Sequence, residues 1–178
     1  ISLNWGLGGF RINPNLDEVT RRTIPRIVYE FDPTRPYLPS SPYISQAIYD
    51  GGMSETLWPE NHLWGPRGYY KAPFYTQARC SFVSEIGYHG CPNRESLEKM
   101  MTPDKVYPWS SDFNWNDEWQ TKAVMWFPEL GITANRNNLM LNQIRALFGD
   151  VPRDLDEYIF ASQSVQAEAM KYFVEMWR

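Results

Sequence analysis

Apolar residues recur at helical spacing between residues 16 and 31 of the chain. Asn15 precedes this segment as a predicted helix N-cap, and Glu18 three residues later completes a capping-box pattern. Pro25 lies inside the segment and predicts a bend or a split in the helix. The sequence 32–36 contains two prolines and is expected to end the helix, because a residue before proline avoids the helical region.

The second half of the chain predicts four further helices, over 95–101, 115–127, 135–148 and from Asp154 to the end of the sequence. Gly149 is expected to stop the third of these helices, and Asp154 is expected to cap the fourth. The apolar face expected for the third helix consists of Leu139, Met140, Ile144 and Leu147. The apolar face expected for the fourth helix consists of Leu155, Ile159, Val165, Ala169, Tyr172 and Met176.

Two short segments, 37–39 and 81–87, are predicted as strands. Residues 43–75 between them are rich in glycine, proline and aromatic residues, so no element longer than a few residues is expected there. A loop of this length is usually functional. The segment 81–87 is a short apolar run that carries one carboxylate, Glu85, and ends in glycine. This pattern is typical of a buried parallel strand that delivers a residue to the rim of a sheet.

The order of helices and strands favours an α/β fold with parallel strands. Only two or three strands are visible in the 178 residues, whereas a complete eight-stranded α/β barrel takes about 250 residues. The pattern therefore fits either a small atypical α/β domain or a piece of a barrel.

Composition narrows the classes of partner. The net charge of −4 provides no basic footprint for nucleic acid, and no apolar run approaches the roughly 20 residues of a membrane span. Cys80 and Cys91 are expected to be ordinary buried thiols, and with His62 and His89 they show no metal-ligand spacing. No nucleic acid, membrane, metal or organic cofactor is expected, and the compartment, whether cytoplasmic, periplasmic or secreted, stays open.

Glu85 is the carboxylate in a strand-like apolar context, and two interpretations of it remain. It could be a rim carboxylate in a salt bridge with Arg79 or Arg94. Glycoside hydrolysis is the chemistry that would use it, because a retaining glycosidase needs two carboxyl groups about 5–5.5 Å apart, one of them a nucleophile. A strand end would hold such a nucleophile rigidly.

At this point the chain resembles a known family. The sequence Ser-Glu-Ile-Gly at 84–87 is similar to the Ser-Glu-aromatic-Gly motif around the nucleophile of glycoside hydrolase family 2. Other segments resemble the β-mannosidase-like branch of that family and occur in the same order. They are 32–37 with 39–42, the sequence His-Leu-Trp-Gly-Pro-Arg at 62–67, the stretch 85–92, and the final helix with Ser162, Gln163 and 166–169.

The resemblance implies a partial (β/α)8 barrel and a retaining exo-β-glycosidase that hydrolyses terminal β-mannosides with Glu85 as nucleophile. The sugar could also be a β-galactoside, β-glucuronide or β-glucosaminide. The substrate-binding residues expected are His62 and Trp64, which match the family's His/Trp loop, and Tyr69 of the aromatic loop. His89, four residues past Glu85, could line the pocket, and Trp5 is a further candidate. Aromatic residues of the loop could instead pack beneath it, and Arg35 is expected to have a structural role in an ion pair.

One family feature is missing. The acid/base glutamate of the family sits in an Asn-Glu pair after the fourth barrel strand, and this chain contains no such pair. If the sequence 5–9 follows that pair, residues 1–178 are one sector of a glycosidase barrel, from after strand four to before strand eight. The remaining glycosidase chain is then a required partner, and this chain alone is expected to be inactive. If Gly8 and Gly9 replace the pair, a non-catalytic carbohydrate-binding or scaffold fragment is expected.

Overall fold

A computed structural model describes residues 13–52, 58–64, 68–109, 115–123 and 136–178. These residues form two compact units. The described part of the first unit comprises 13–52, 58–64 and 73–86. The described part of the second unit comprises 68–72, 87–109, 115–123 and 136–178.

The described part of the first unit begins with a 3-10 turn and a separate helical segment that changes from π to α winding, rather than with one continuous helix. Asn13 caps a 3-10 turn, Pro14–Leu16, by accepting a hydrogen bond from the backbone N–H of Asn15 at 3.0 Å, so the N-cap predicted at Asn15 is wrong. A π-helical turn, Val19–Thr23, then leads into helix α1, Ile24–Phe31. The predicted split at Pro25 is not observed, because the helical backbone runs through it without a break; only the winding changes from π to α, between Thr23 and Ile24.

Helix α1 ends before the first proline of 32–36, as predicted. It buries none of its residues. Ile24 and Val28 are half-buried, but other apolar side chains of α1 and the preceding turns are exposed, with Leu16 at 79% and Phe31 at 78% of their full accessible surface. The face that the helical period defines is therefore only partly covered by the described residues.

The middle of the chain holds short elements only, as expected. They are helix α2, Gln46–Asp50, strand β1, Glu60–Leu63, and helix α3, Pro73–Thr76. Residues 37–39 do not form a strand, so that prediction is wrong; the prolines on either side of Tyr37 and Leu38 cannot donate to a ladder.

The predicted strand around Glu85 is present as β2, Phe82–Ile86, and it pairs in parallel with β1. Parallel pairing agrees with the prediction, but the expected burial does not: Phe82 is 63% exposed. Strand β1 is the buried partner, although three of its four residues are polar.

The second unit is helical in its described part. It contains α4, Arg94–Met100, α5, Asp117–Ala123, α6, Arg136–Phe148, and α7, Leu155–Met176. A 3-10 turn, Pro103–Lys105, follows α4. The predicted helices at 95–101, 135–148 and from Asp154 are confirmed to within a residue or two at their ends, while the predicted part of α5 beyond Ala123 lies outside the described residues.

The caps of these helices follow the sequence. Asp154 caps α7, because its carboxylate accepts hydrogen bonds from the backbone N–H groups of Asp156 at 2.9 Å and Glu157 at 3.1 Å. Gly149 ends α6 with a φ of 82°, which is the left-handed conformation that favours glycine.

The packed faces differ in part from those predicted. In α6 the buried residues are Asn137, Met140, Leu141, Gln143 and Ile144. In α7 they are Leu155, Tyr158, Ile159, Ala161, Ser162, Val165, Ala169 and Phe173. Leu147, by contrast, is 38% exposed, and Phe173 is buried where Tyr172 and Met176 were expected. Phe173 follows Val165 and Ala169 at i, i+4 spacing, so it lies on the same buried face of α7.

Three tryptophans of the second unit pack against Tyr158 of α7 or against one another. The ring of Trp109 lies 4.7 Å from that of Tyr158, and Trp115 lies 5.4 Å from Trp109 and 5.8 Å from Trp119. These three tryptophans therefore have packing roles, whereas Trp126 lies outside the described residues. Within the part of the chain that the structure describes, no helix is long and apolar enough to cross a membrane.

Candidate active site

Glu85 lies one residue before the C-terminal end of β2, and its side chain is 50% exposed. Each of its carboxylate oxygens faces a nitrogen. The indole Nε1–H of Trp64 donates to Oε2 at 2.9 Å, and Nε2 of His62 lies 3.4 Å from Oε1. The carboxylate is therefore both reachable from solvent and held in one orientation from two sides.

The ladder between β1 and β2 explains how His62 reaches Glu85. Asn61 pairs with Val83, but the next residue, His62, pairs with Glu85, so β2 carries one extra residue, Ser84, at that point. Such a bulge interrupts the strict alternation of side chains along a strand. Ser84 and Glu85 consequently both reach partners on β1, although adjacent strand residues normally point to opposite faces.

A buried polar cluster lies beside this pair. Glu60, Asn61 and His62 are 5%, 1% and 7% exposed. Ser41, from the turn before α2, has its hydroxyl oxygen 2.7 Å from Oε1 of Glu60, 2.7 Å from Nε2 of His62 and 3.2 Å from the hydroxyl of Ser84. The hydroxyl of Ser84 also donates to Oε1 of Glu60 and, at 3.3 Å, to the carbonyl of Asn61.

The sequence therefore predicted three residues of this site, Glu85, His62 and Trp64. It did not predict the residues that hydrogen-bond to them or lie beside them. Ser41 and Ser84 appeared only as parts of matched segments. Glu60 was not among the predicted site residues. The available signal was the two-residue spacing of Glu60 and His62, which places both on one face of a strand.

The other predicted site residues are Trp5, Tyr69 and His89. Trp5 lies outside the described residues, and Tyr69 and His89 belong to the second unit. Tyr69 is 43% exposed, with its ring 5.2 Å from that of Tyr70. His89 is half-buried and lines a cavity of about 200 Å³ with residues that include Leu97, Met101 and Trp119.

The alternative interpretation of Glu85 was a salt bridge with Arg79 or Arg94, but both arginines have other partners. Arg94 pairs instead with Asp156 at 2.7 Å and Glu98 at 3.5 Å, and Nη1 of Arg79 donates to the carbonyl of Ala78 at 3.3 Å. The ion pair with Arg94 lowers the pKa of Asp156 through its hydrogen bond and its charge.

Arg35 forms the expected ion pair, with Asp32 at 3.3 Å, but its side chain is 82% exposed. A structural ion pair at the surface contributes little to stability.

Both cysteines are free and buried. Burial raises the pKa of the Cys91 thiol to about 12. Burial also raises the pKa of Cys80, and the negative charge of Glu60 raises it further. Among the described residues, no group of three or more His, Cys, Asp or Glu side chains could hold a metal ion.

The likeness of this chain to known proteins points to a glycoside hydrolase. It is 29% identical over 168 residues to the β-mannosidase of Bos taurus. The match covers 88% of this chain but only 17% of that relative, so the chain spans a small part of its length. No family model matches, and no solved structure matches. The chain is thus a distant relative of a glycosidase.

Proposed function

We propose that this chain is part of the catalytic barrel of a retaining β-glycosidase, with Glu85 as the nucleophile and terminal β-mannosides as substrates. One observation carries the proposal. A half-exposed carboxylate stands at the C-terminal end of a parallel strand, with a nitrogen of a different side chain on each oxygen. Residues at that end of barrel strands form the active sites of this fold class.

The geometry suits nucleophilic attack. A carboxylate oxygen has two lone pairs, so Oε1 and Oε2 each keep one for the substrate after meeting His62 and Trp64. In the first step an oxygen of Glu85 bonds to the anomeric carbon, the glycosidic C–O bond breaks, and an acid protonates the leaving oxygen. Water then attacks the same carbon and loses its proton to that group, and the carboxylate of Glu85 leaves.

The proposal of a larger barrel rests on uncovered surfaces of the first unit. Purely parallel sheets occur almost only with both faces covered, yet Phe82 of β2 is 63% exposed. Leu16, Val19 and Phe31 add further apolar surface. The bovine relative extends far beyond the matched region and supports the same interpretation.

The sugar contacts are proposed to come from Trp64 and Glu85 rather than from His62. Nε2 of His62 already meets Ser41 and Glu85, and the side chain is only 6% exposed. The indole N–H of Trp64 holds Glu85, and the same aromatic ring is proposed to stack on the C–H face of a sugar.

Covalent trapping tests this function. A 2-deoxy-2-fluoro-β-mannosyl fluoride slows the second step more than the first, so the complete gene product is expected to accumulate a glycosyl ester on the peptide that contains Glu85. Glu85→Gln should abolish labelling and turnover, and Glu175→Gln, which alters an exposed carboxylate of α7, should change neither. Labelling of another carboxylate would refute the assignment. Parallel assays with β-galactoside, β-glucuronide and β-glucosaminide decide the sugar.

A further inference from the structure

A buried carboxylate, Glu60, lies behind the candidate nucleophile. Its side chain is 7% exposed, and its hydrogen bonds run through Oε1, which accepts from the hydroxyls of Ser41 and Ser84. Its Oε2 is buried and has no hydrogen-bond partner in the described parts of the chain. A buried carboxylate with one unsatisfied oxygen is costly, so a role other than stability is the better explanation for Glu60.

The direction of the hydrogen bonds can be assigned from chemistry. The hydroxyl of Ser41 has a single proton and lies 2.7 Å from both Oε1 of Glu60 and Nε2 of His62. A carboxylate can only accept, and it is the stronger acceptor because it is charged. The proton of Ser41 therefore goes to Glu60, and the lone pair of Ser41 is left for an N–H of His62.

The nucleophile imposes the same direction independently. Oε1 of Glu85 lies 3.4 Å from the same Nε2. A bare Nε2 would present its lone pair to that oxygen, whereas Nε2–H presents the positive end of a bond. Both neighbours of Nε2 thus select the tautomer, or the protonated ring, that carries hydrogen at Nε2.

We propose that Glu60 is a positioning residue that acts through the Ser41 hydroxyl to keep a hydrogen on Nε2 of His62, so that the positive end of this N–H bond, and not a lone pair, lies beside Glu85. The order is Glu60, Ser41, His62, Glu85, and the bulge at Ser84 is what lets the last pair meet. The tautomer assignment stands on the geometry alone, and its catalytic consequence rests on the function proposed above.

The ring nitrogens of His62 provide a direct test that needs no activity. The chain contains only two histidines, so ¹⁵N-detected long-range correlation spectra can be assigned with a His89→Gln variant. In the unaltered protein with a neutral ring, Nε2 of His62 is expected to carry the proton. Glu60→Met removes the acceptor, frees the Ser41 proton for Nε2, and should shift the population toward the Nδ1–H tautomer.

Three further variants distinguish the role of the Glu60 acceptor oxygen from the roles of its charge and of its neighbouring hydroxyls. Glu60→Gln keeps a carbonyl that can accept from Ser41, so it should preserve the Nε2–H tautomer. Ser84→Ala is the matched control, because Ser84 donates to the same oxygen of Glu60 but is not the link to His62. Ser41→Ala removes the link itself and should weaken the Nε2–H preference, and it decides the question if Glu60→Met does not fold.

The kinetic consequence is measured separately in the complete gene product. Glu60→Met should lower kcat/KM about 10- to 100-fold through misplacement of the nucleophile, with recovery in Glu60→Gln. A bare Nε2 in the unaltered protein, or an unchanged tautomer in a folded Glu60→Met or in Ser41→Ala, would overturn the inference. If the tautomer behaves as expected but Glu85 is not trapped by the fluorosugar, the proposed function fails and the positioning network stands.

Discussion

Nε2 of His62 and Oε1 of Glu85 lie 3.4 Å apart because the strands that carry them slip by one residue between Asn61 and His62. Continued regular pairing would have placed His62 opposite Ser84. Bulges are common next to active sites, where they re-aim a side chain. The meeting of the two residues is therefore a property of the ladder, and of the Ser84 insertion in particular.

Trp64→Phe is predicted to lower kcat/KM of the complete gene product on a β-mannoside. The variant keeps an aromatic ring but loses the N–H that holds Oε2 of Glu85 at 2.9 Å. A hydrogen bond to a charged group at a half-exposed site corresponds to about 1–2 kcal/mol here, which is about a 5- to 30-fold loss. Steady-state kinetics measure it.

Trp115→Phe is the matched control for this prediction. It removes the same kind of donor, because the indole N–H of Trp115 donates to Oδ1 of Asn138 at 2.8 Å in the second unit. Its kcat/KM should stay at the level of the unaltered protein. Equal losses in the two variants would mean that Trp64 acts only through general stability.

The sequence predicted the strand that carries Glu85 but not its partner. The run around Glu85 has the apolar composition of a strand, whereas Glu60, Asn61 and His62 of β1 are polar and give no such pattern. The register is equally hidden, since it depends on pairing between strands about twenty residues apart in the chain. Ser41 reaches the site only through this tertiary arrangement.

Helices were predictable where their signals are local. Asp154 marks the start of α7 because its side chain accepts hydrogen bonds from the backbone, and Gly149 marks the end of α6 because it adopts a positive φ. Both signals are independent of the rest of the fold. The packed face was less predictable, because Asn137 and Gln143 of α6 are buried although they are polar. Asn137 donates to the backbone carbonyl of Trp119 at 2.9 Å, a partner that no periodicity shows.

Phe173→Ala is predicted to destabilise the second unit by about 3–5 kcal/mol, because it deletes a fully buried ring and leaves a cavity. The ring lies 6.3 Å from that of Tyr88, centre to centre. Val174→Ala, one residue along, is the control: Val174 is 64% exposed, and its change should stay within about 0.5 kcal/mol. Denaturant unfolding followed by circular dichroism measures both, and similar losses would contradict the packing of α7.

Cys91 is predicted to make stability fall as pH rises above the ordinary thiol range. Burial raises its pKa to about 12 in the folded chain, so the unfolded chain releases a proton that the folded chain keeps. The contribution is complete below the unfolded value, and stability then falls by up to about 1.4 kcal/mol per pH unit until the folded value is reached.

Unfolding free energies at several pH values between about 8 and 10.5, under reducing conditions, test this prediction. Cys91→Ala should show a shallower decline than the unaltered chain. Tyr158, whose pKa burial also raises, remains in both proteins; the negative charge of Cys91 adds to this rise, so the variant also loses that part of the Tyr158 effect. Parallel declines would show that Cys91 ionises in the folded chain as easily as in the unfolded one. Rapid reaction of Cys91 with a thiol reagent at neutral pH would also contradict a raised pKa for this thiol in the folded chain.

The 178-residue chain by itself is predicted to leave β-linked mannobiose uncleaved, even if the complete gene product cleaves it. The family resemblance places the acid/base glutamate in an Asn-Glu pair, and the chain contains none.

The reason is chemical. A sugar alkoxide is a poor leaving group, and general acid catalysis contributes about 10²–10⁴-fold to its departure. A nitrophenyl mannoside needs little protonation, so any residual activity of Glu85 should appear on that substrate first. Even there, loss of the surrounding barrel would displace the carboxylate, and a shift of about 1 Å can cost about 10²-fold. The assay therefore compares both substrates with both proteins. Comparable turnover of the disaccharide would contradict the prediction and would identify a carboxylate inside this chain as the acid, with Glu60 the first to replace, since its Oε1 lies 4.0 Å from Nε2 of His62.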